Sequence, residues 1–249
     1  MPEGPSILIG KEVLILLIKG KVIREVSGNA KIDLSALVSK KVLDILSWGK
    51  HLLILLPSCT IKIHFLMFGS YSIDEQTKPD NRVRLKLKFA KHSVYFYTCS
   101  VRLITTDLDT LYDWESDVLN DKWNARKARQ KLKRMPDTMV CDALLDQQIF
   151  SGVGNIIKNE VLYRIKLHPE TQIQHLPAKK LSDLIREARQ YSFDFLKWKR
   201  LFTLRKHWLA HTKKICLRCQ LPFTKQYCGK TKRRSFFCNQ CQVYYTSTS

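Results

Sequence analysis

The sequence predicts a multi-domain α+β chain. A β-sandwich with a flanking helix comes first, a helical domain follows, and a small β-hairpin held by four cysteines comes last. Three observations predict this. Residues 1–105 hold short runs, many alternating apolar and polar residues, separated by turn residues. From about residue 124 the apolar residues recur at helical spacing. Beyond residue 210, two Cys-x-x-Cys pairs stand eighteen residues apart.

The first apolar stretch, 6–18, reads two ways: a strand over 13–17, or a helix following the N-terminus. Strand runs follow at 41–46, 51–56, 60–65, 83–89 and 93–97. The most regular is Arg82-Val83-Arg84-Leu85-Lys86-Leu87-Lys88-Phe89, which alternates throughout. Gly20, Gly28-Asn29, Pro57-Ser58 and Pro79-Asp80-Asn81 punctuate the runs as turns. Strands at this spacing make a sandwich or barrel. Residues 107–121 are acidic and read as a connector. A basic helix over 125–134 stops before Pro136. Two amphipathic helices, 142–150 and 155–165, are joined by Ser151-Gly152-Val153-Gly154, and a long helix over 178–198 is entered after Pro177. The expected boundaries are therefore 1–105, a connector 106–122, a helical domain 123–210, a cysteine module 211–242 and a tail 243–249.

The formal net charge is +21 over 249 residues. A polyanion is the partner such a charge implies, because binding releases counterions from phosphates. The charge is clustered: Lys122, Arg126, Lys127, Arg129, Lys131, Lys133 and Arg134 crowd one stretch, and residues 211–249 carry eight Lys or Arg and no acid. No run approaches the ~20 apolar residues of a membrane span. Residues 7–18 contain Lys11 and Glu12 and lack a small-residue cleavage site, so no signal peptide is expected. The expected location is intracellular, in the cytoplasm or nucleoid. Eight cysteines then do not read as a disulfide framework.

Cys216, Cys219, Cys238 and Cys241 have the spacing of a four-cysteine zinc site on a hairpin. A redox dithiol would need only one pair and a thioredoxin-like context. Cys228 fits neither knuckle, and Cys59, Cys99 and Cys141 read as small core residues. His207 and His211 precede the first knuckle as rival ligands. Between the knuckles Lys225, Lys230, Lys232, Arg233 and Arg234 suit phosphate. Ser151-Gly152-Val153-Gly154-Asn155 opens a helix, where backbone N–H groups and the helix dipole favour an anion.

The chain opens Met1-Pro2-Glu3-Gly4-Pro5. If Met1 is removed, Pro2 presents a secondary amine. An α-amine has a pKa near ~8, so part of it is unprotonated at neutral pH. Such an amine forms a Schiff base with a carbonyl carbon. Glu3 beside it is a proton carrier.

Four blocks together resemble the formamidopyrimidine-DNA glycosylase and endonuclease VIII family of base-excision repair enzymes, with the opening closer to the endonuclease VIII branch. They are the opening, Trp48-Gly49-Lys50-His51-Leu52-Leu53, the run Leu144-Leu145-Asp146-Gln147 through Gly152-Val153-Gly154-Asn155-Ile156, and Arg233-Arg234-Ser235-Phe236-Phe237-Cys238-Asn239-Gln240-Cys241-Gln242. The resemblance implies a helix–two-turn–helix domain and a structural zinc finger with one zinc per chain. It implies a monomeric bifunctional glycosylase and abasic-site lyase acting on damaged DNA. Pro2 would be the Schiff-base nucleophile and Glu3 the proton-transferring acid. Lys50 would contact phosphate and assist catalysis at the lesion nucleotide. Asn155 and Arg233 would hold phosphates, with Arg234 one residue away as the alternative clamp. Met67 would fill the gap left by an extruded base. Ser6 stands where the family usually has a Glu. The segment 99–103 corresponds to a second gap-filling loop and lacks its Phe, which leans toward oxidised pyrimidines and hydantoins as substrates. A zinc-finger nucleic-acid-binding protein without chemistry is the competing reading, and it needs no free Pro2.

Overall fold

The computed structural model describes residues 2–246, and the chain divides into two compact units, Met1–Tyr112 and Asp113–Ser249. The first unit opens with helix α1 (Gly4–Ile18), so the 6–18 stretch is a helix and not a strand. Pro5 suits its first turn, where the missing N–H would have no partner anyway. Ile7, Leu14 and Ile18 are buried while Leu16 is exposed. Helical spacing puts the first three on one face.

Eight strands follow: β1 (Glu25–Ser27), β2 (Asp44–Trp48), β3 (His51–Leu55), β4 (Thr60–His64), β5 (Ser70–Ile73), β6 (Val83–Lys88), β7 (Ser93–Tyr97) and β8 (Ser100–Ile104). They make two four-stranded antiparallel sheets, ordered β1-β6-β7-β5 and β2-β3-β4-β8. Leu52, Ile54, Ile61 and Ile63 of one sheet share a core with Leu85, Leu87, Val94 and Phe96 of the other, and with Ile7 and Leu14 of α1. The alternating run behaves as its period requires, with Val83, Leu85 and Leu87 buried and Arg84, Lys86 and Lys88 partly exposed. Each fully buried leucine contributes about 1.5–3 kcal/mol.

The segment 99–103 is not a loop. Residues 100–104 form β8, because Val101 and Leu103 alternate onto the core side and pair with Ile63 and Ile61 of β4. The β7–β8 connection is only Thr98-Cys99, with Thr98 in the left-handed region at φ 50°. The short helix α2 (Leu108–Leu111) closes the unit.

The second unit contains α3 (Ala125–Lys133), α4 (Val140–Ala143), α5 (Asn155–Arg164), α6 (Ala178–Arg200), β9 (Thr224–Cys228) and β10 (Arg233–Phe237). Asn124 caps α3 by accepting the N–H groups of Arg126 and Lys127. Asp113 and Glu115 pair with Lys127 at 2.9 and 2.8 Å, and Asp113 also pairs with Lys131 at 2.7 Å. The acidic segment thus supplies counter-charge to one side of α3. Leu181, Leu184, Ile185, Ala188, Tyr191 and Phe195 form the buried stripe of α6.

The helix expected over 142–150 is absent. Only Val140–Ala143 is helical, and turns follow. The N–H groups of Leu145 and Asp146 bond the carbonyls three residues back, Asp142 at 2.9 Å and Ala143 at 3.3 Å, and Asp146 then adds a local bond of its own. Its carboxylate accepts the Gln148 N–H at 2.8 Å, a local bond that competes with the helical ladder. Among the described residues, no helix is long and apolar enough to cross a membrane.

Candidate functional site

In the first unit, Glu3 is the residue immediately before α1, and it is fully buried. Its carbonyl oxygen accepts the N–H of Ser6 at 2.8 Å and of Ile7 at 3.3 Å. Pro2 and Glu3 therefore sit at the fixed start of a helix. Pro2 is half-buried, and so is Ser6 in the first turn.

Lys50 lies in no strand. With Gly49 it forms the two-residue turn between β2 and β3, closed by the Trp48–His51 pair. Gly49 has φ 52°, a left-handed value that such turns favour and that glycine adopts at least cost. The period of two along β3 and β4 places His51, Lys62 and His64 on the face opposite Leu52, Ile61 and Ile63. Arg102 of β8 stands across from Lys62, exposed. Burial, followed by the charge of Lys62, then His64 and Lys50, pushes His51 down to about 3. Burial, then Lys50 and Lys62, lowers His64 as well. The result is a basic face carrying neutral imidazoles. Sequence reading passed over His51, Lys62 and His64, although the alternation at 60–64 was the signal for them.

Met67 lies in a tight loop between β4 and β5. The Gly69 N–H bonds the Phe65 carbonyl at 2.8 Å, and Leu66 adopts φ 54°. A Cβ on Gly69 would run into that carbonyl. The closed loop holds Leu66, Met67 and Phe68 outward, 48%, 52% and 75% exposed. Three adjacent exposed apolar side chains on one loop suit a wedge or an interface.

In the second unit, Gly154 precedes Asn155, the first residue of α5. Gln147 braces the loop before it. Its amide donates to Leu145 O and Val153 O, and its oxygen accepts the Gly152 N–H at 3.1 Å. Gly152 has φ 97°. Asn155 Nδ2 donates to the Arg234 carbonyl at 3.0 Å, and so do Lys158 Nζ at 3.3 Å and Asn159 Nδ2 at 3.4 Å. Lys158 Nζ also donates to Ser235 Oγ at 2.8 Å, and the Phe236 N–H donates to Asn159 Oδ1. The start of α5 and the strand bearing Arg233 and Arg234 are thereby fastened together. Burial is the main reason that the fully buried Lys158 is pushed down to about 8. The Arg234 side chain is exposed. It donates to Tyr227 Oη at 2.7 Å and lies 5.1 Å over that ring. Arg233 is half-buried, opposite Cys228.

A second clasp holds the far end of this hairpin. The Asp142 carboxylate accepts the N–H of Lys230 at 2.7 Å, the N–H of Thr231 at 3.0 Å and the Thr231 hydroxyl at 2.7 Å. Gly229 at φ 68° leaves room for it; a Cβ there would collide with the carboxylate. The expectation for Asp142→Ala is a loss of about 1–2 kcal/mol of stability from the unpaired N–H groups. Amide exchange at 229–232 should speed up before the rest of the unit. Unchanged exchange at those amides would show that the clasp does not hold the turn.

The four sulfurs of Cys216, Cys219, Cys238 and Cys241 lie within 4.8 Å of one another. Thiolates about 2.3 Å from a tetrahedral metal ion stand about 3.8 Å apart. Cys216 Sγ and Cys241 Sγ are 3.7 Å apart, and no cysteine is in a disulfide. The cluster can hold a metal ion. Burial acts to raise Cys216, but hydrogen bonding to the Tyr163 hydroxyl and the N–H groups of Cys219 and Arg218 outweighs it and brings the thiol down to about 6. Arg218 stacks 3.8 Å over the Tyr163 ring, so the first knuckle docks on α5. The rival ligands are occupied elsewhere. His207 stacks on Trp198 at 4.2 Å, and His211 Nδ1 lies 3.2 Å from Asn159 Nδ2. Buried Glu160 accepts the N–H groups of Leu209, Ala210 and His211, which fixes the approach to the first knuckle. Cys228 and Cys141 are buried core residues, as is Cys99, while Cys59 is partly exposed.

The family model described as formamidopyrimidine-DNA glycosylase N-terminal domain matches residues 1–104, and the one described as formamidopyrimidine-DNA glycosylase H2TH domain matches residues 115–191. Endonuclease 8-like 3 of Xenopus laevis is 31% identical over 221 residues, covering 84% of this chain and 36% of that protein. The chain thus spans about a third of the length of that relative. DNA-(apurinic or apyrimidinic site) lyase Nei2 of Mycolicibacterium smegmatis is 31% identical over 170 residues, 66% of each chain. The formamidopyrimidine DNA glycosylase of Lactococcus lactis, solved with DNA containing an abasic site, has the same fold: TM-score 0.85 over 96% of this chain and 99% of that one, at 22% identity.

Proposed function

The chain belongs to the formamidopyrimidine-DNA glycosylase family, and from that premise we propose that it is a bifunctional DNA glycosylase and abasic-site lyase of base-excision repair. The observation that carries the reading is Glu3, a fully buried carboxyl next to Pro2 at the start of α1. Once Met1 is removed, a carboxyl held out of water beside the freed amine is placed to move protons at whatever the amine attacks.

The target base has to leave the stack, which costs a few kcal/mol and least for a weakened pair. Lys50, Asn155 and Arg233 or Arg234 pin phosphates around it, and Met67 with Leu66 and Phe68 fills the gap. The Pro2 nitrogen forms a bond to the sugar C1′ as the C1′–base bond breaks, and Glu3 supplies the proton that the departing base takes. Ring opening leaves an iminium between Pro2 and C1′. That cation acidifies the C2′ proton, whose loss expels the 3′ phosphate. A second elimination expels the 5′ phosphate. Zinc held by Cys216, Cys219, Cys238 and Cys241 would be structural, since four thiolates leave no open coordination position. The partner is damaged DNA, the working unit a monomer inside the cell, and the substrates are oxidised pyrimidines and hydantoins.

Glu3→Gln separates the two half-reactions. It should slow base removal by roughly 10²–10⁴-fold and slow cleavage of a preformed abasic site far less, since only the first step expels a base. Equal losses on both substrates would count against this division of labour. A panel carrying thymine glycol, 5,6-dihydrouracil, hydantoins, formamidopyrimidines and 8-oxoguanine tests the substrate class. Non-planar lesions should be cut fastest, with little dependence on the opposite base. Efficient cutting of 8-oxoguanine only opposite cytosine would overturn the substrate class and leave the Pro2 chemistry standing.

A further inference from the structure

In the second unit a cleft of about 590 Å³ lies between α3 and α6, and it shares no residue with the α5–hairpin site. Arg126 and Arg129 of α3 and Arg186 and Arg189 of α6 line it, with Trp123 and Phe193 beside them and buried Ile185 beneath. Helical geometry makes this arrangement, because residues three or four apart share a face. The side of α3 bearing Lys127 and Lys131 is neutralised by Asp113 and Glu115, and the arginine side is not. Arg129 donates to Ser182 Oγ at 2.6 Å, and Arg186 pairs with Asp183 at 2.6 Å. Among the described residues, Arg126 and Arg189 have no carboxylate partner. Four guanidinium groups therefore converge on an apolar floor with one acid among them.

The ligand that completes such a cleft carries several carboxylates around an apolar group. Guanidinium forks bind carboxylates in pairs of hydrogen bonds, and the floor receives a side chain. Nucleic acid fits less well. Arg189 lies 5.4 Å over the Phe193 ring, which is 37% exposed, and half-buried Trp123 packs 5.9 Å from Phe150, so each ring already has a partner within the protein and neither stands free as a platform for a run of bases. A phosphodiester chain has no use for the apolar floor.

We propose that the α3–α6 cleft is a docking site for an acidic peptide segment of a partner protein, with aspartates or glutamates flanking one apolar anchor residue. The probe is a labelled poly-aspartate peptide with one central leucine, followed by fluorescence anisotropy on the full chain. Saturable binding is expected. It should weaken roughly tenfold or more in Arg126→Glu/Arg189→Glu, in line with the weight arginines carry at interfaces. The same peptide with asparagine in place of aspartate should not bind. Cleavage of an abasic duplex by the same variant should stay at the parent level, which reports on the proposed lyase independently. Thermal unfolding checks the fold, and Arg126→Gln/Arg189→Gln repeats the test if the glutamates lower it. No saturable binding, equal binding of the asparagine peptide, or a fall in duplex affinity matching the fall in peptide affinity would each overturn the proposal. The last of these would make the cleft a DNA surface.

Discussion

Pro2→Gly is expected to abolish borohydride trapping of the protein on abasic DNA, to below about one part in a thousand of the parent level. Duplex affinity should stay within a few-fold. The two readouts separate because they rest on different parts of the chain. Trapping reduces the iminium, and in the proposed reaction that requires the unacylated nitrogen of Pro2. In the proposed reading, affinity rests on charged groups and helix termini elsewhere, chiefly Lys50, Asn155 and the β10 arginines. Glycine keeps a primary amine at the terminus, so the substitution asks whether the secondary amine, held rigid at the start of α1, is what matters. An N-terminal tag that blocks the nitrogen outright gives the stricter form of the experiment. Strong trapping by a protein whose retained extension is verified by mass spectrometry would remove Pro2 from the mechanism. Glu3 would then need a different partner to explain its burial.

Removal of the metal is expected to have the second-largest effect. Metal analysis should return one zinc per chain, and Cys238→Ser/Cys241→Ser should return none. Structural zinc of this type holds its module folded, and apparent binding energies run to about 10–16 kcal/mol. The β10 arginines have two other supports, the Arg234 carbonyl bonded by the start of α5 and the hairpin turn gripped by Asp142. Disorder should therefore start at the knuckles, where Cys216 and Cys241 approach to 3.7 Å, and spread into β10. A charged hydrogen bond to phosphate is worth about 1.5–3 kcal/mol, so without one of them duplex affinity should fall roughly tenfold to a hundredfold. The first unit should keep its own cooperative unfolding transition, since its core is drawn entirely from residues 7–103. Full DNA affinity in a protein verified to be metal-free would show that the hairpin clasps suffice and that zinc is dispensable for binding.

The two experiments probe features that differ in how the chain encodes them. The cysteine knuckles, the Pro2-Glu3 opening and the Gly-Val-Gly-Asn start of α5 are local. Their chemistry depends on residues a few positions apart, so spacing alone reveals them. The alternating strand at 83–88 and the long helix α6 were legible for a related reason, since each shows one period over its whole length. The 6–18 stretch was ambiguous because apolar residues occupy almost all of it and neither period stands out. Packing of Ile7, Leu14 and Ile18 into the sandwich made it a helix. The expected helix over 142–150 has helical apolar spacing, but at Leu145 and Asp146 the chain bonds three residues back and the Asp146 carboxylate captures the Gln148 N–H, so the helical ladder does not resume. The segment 99–103 looked like a loop until β4 offered it a pairing edge.

What the sequence determined by itself was the inventory of groups: a Pro2 that becomes an amine once Met1 is removed, a neighbouring carboxyl, four cysteines at metal-site spacing and a surplus of cations. What only the tertiary structure decided was which of these groups lie in water, which are paired, and which are held still. Glu3 is a residue in a five-residue motif until the fold buries it. Lys158 and Asp142 carry no spacing signal, and they matter because β10 and its turn arrive from 77 and 88 residues away to meet them. Arg126 and Arg189 look like any other basic residues until α3 and α6 pack and leave them lining a cleft in which neither has a carboxylate partner among the described residues. Motifs are short-range and survive in one dimension. Burial and charge pairing are set by long-range packing, which exists only once the chain has folded.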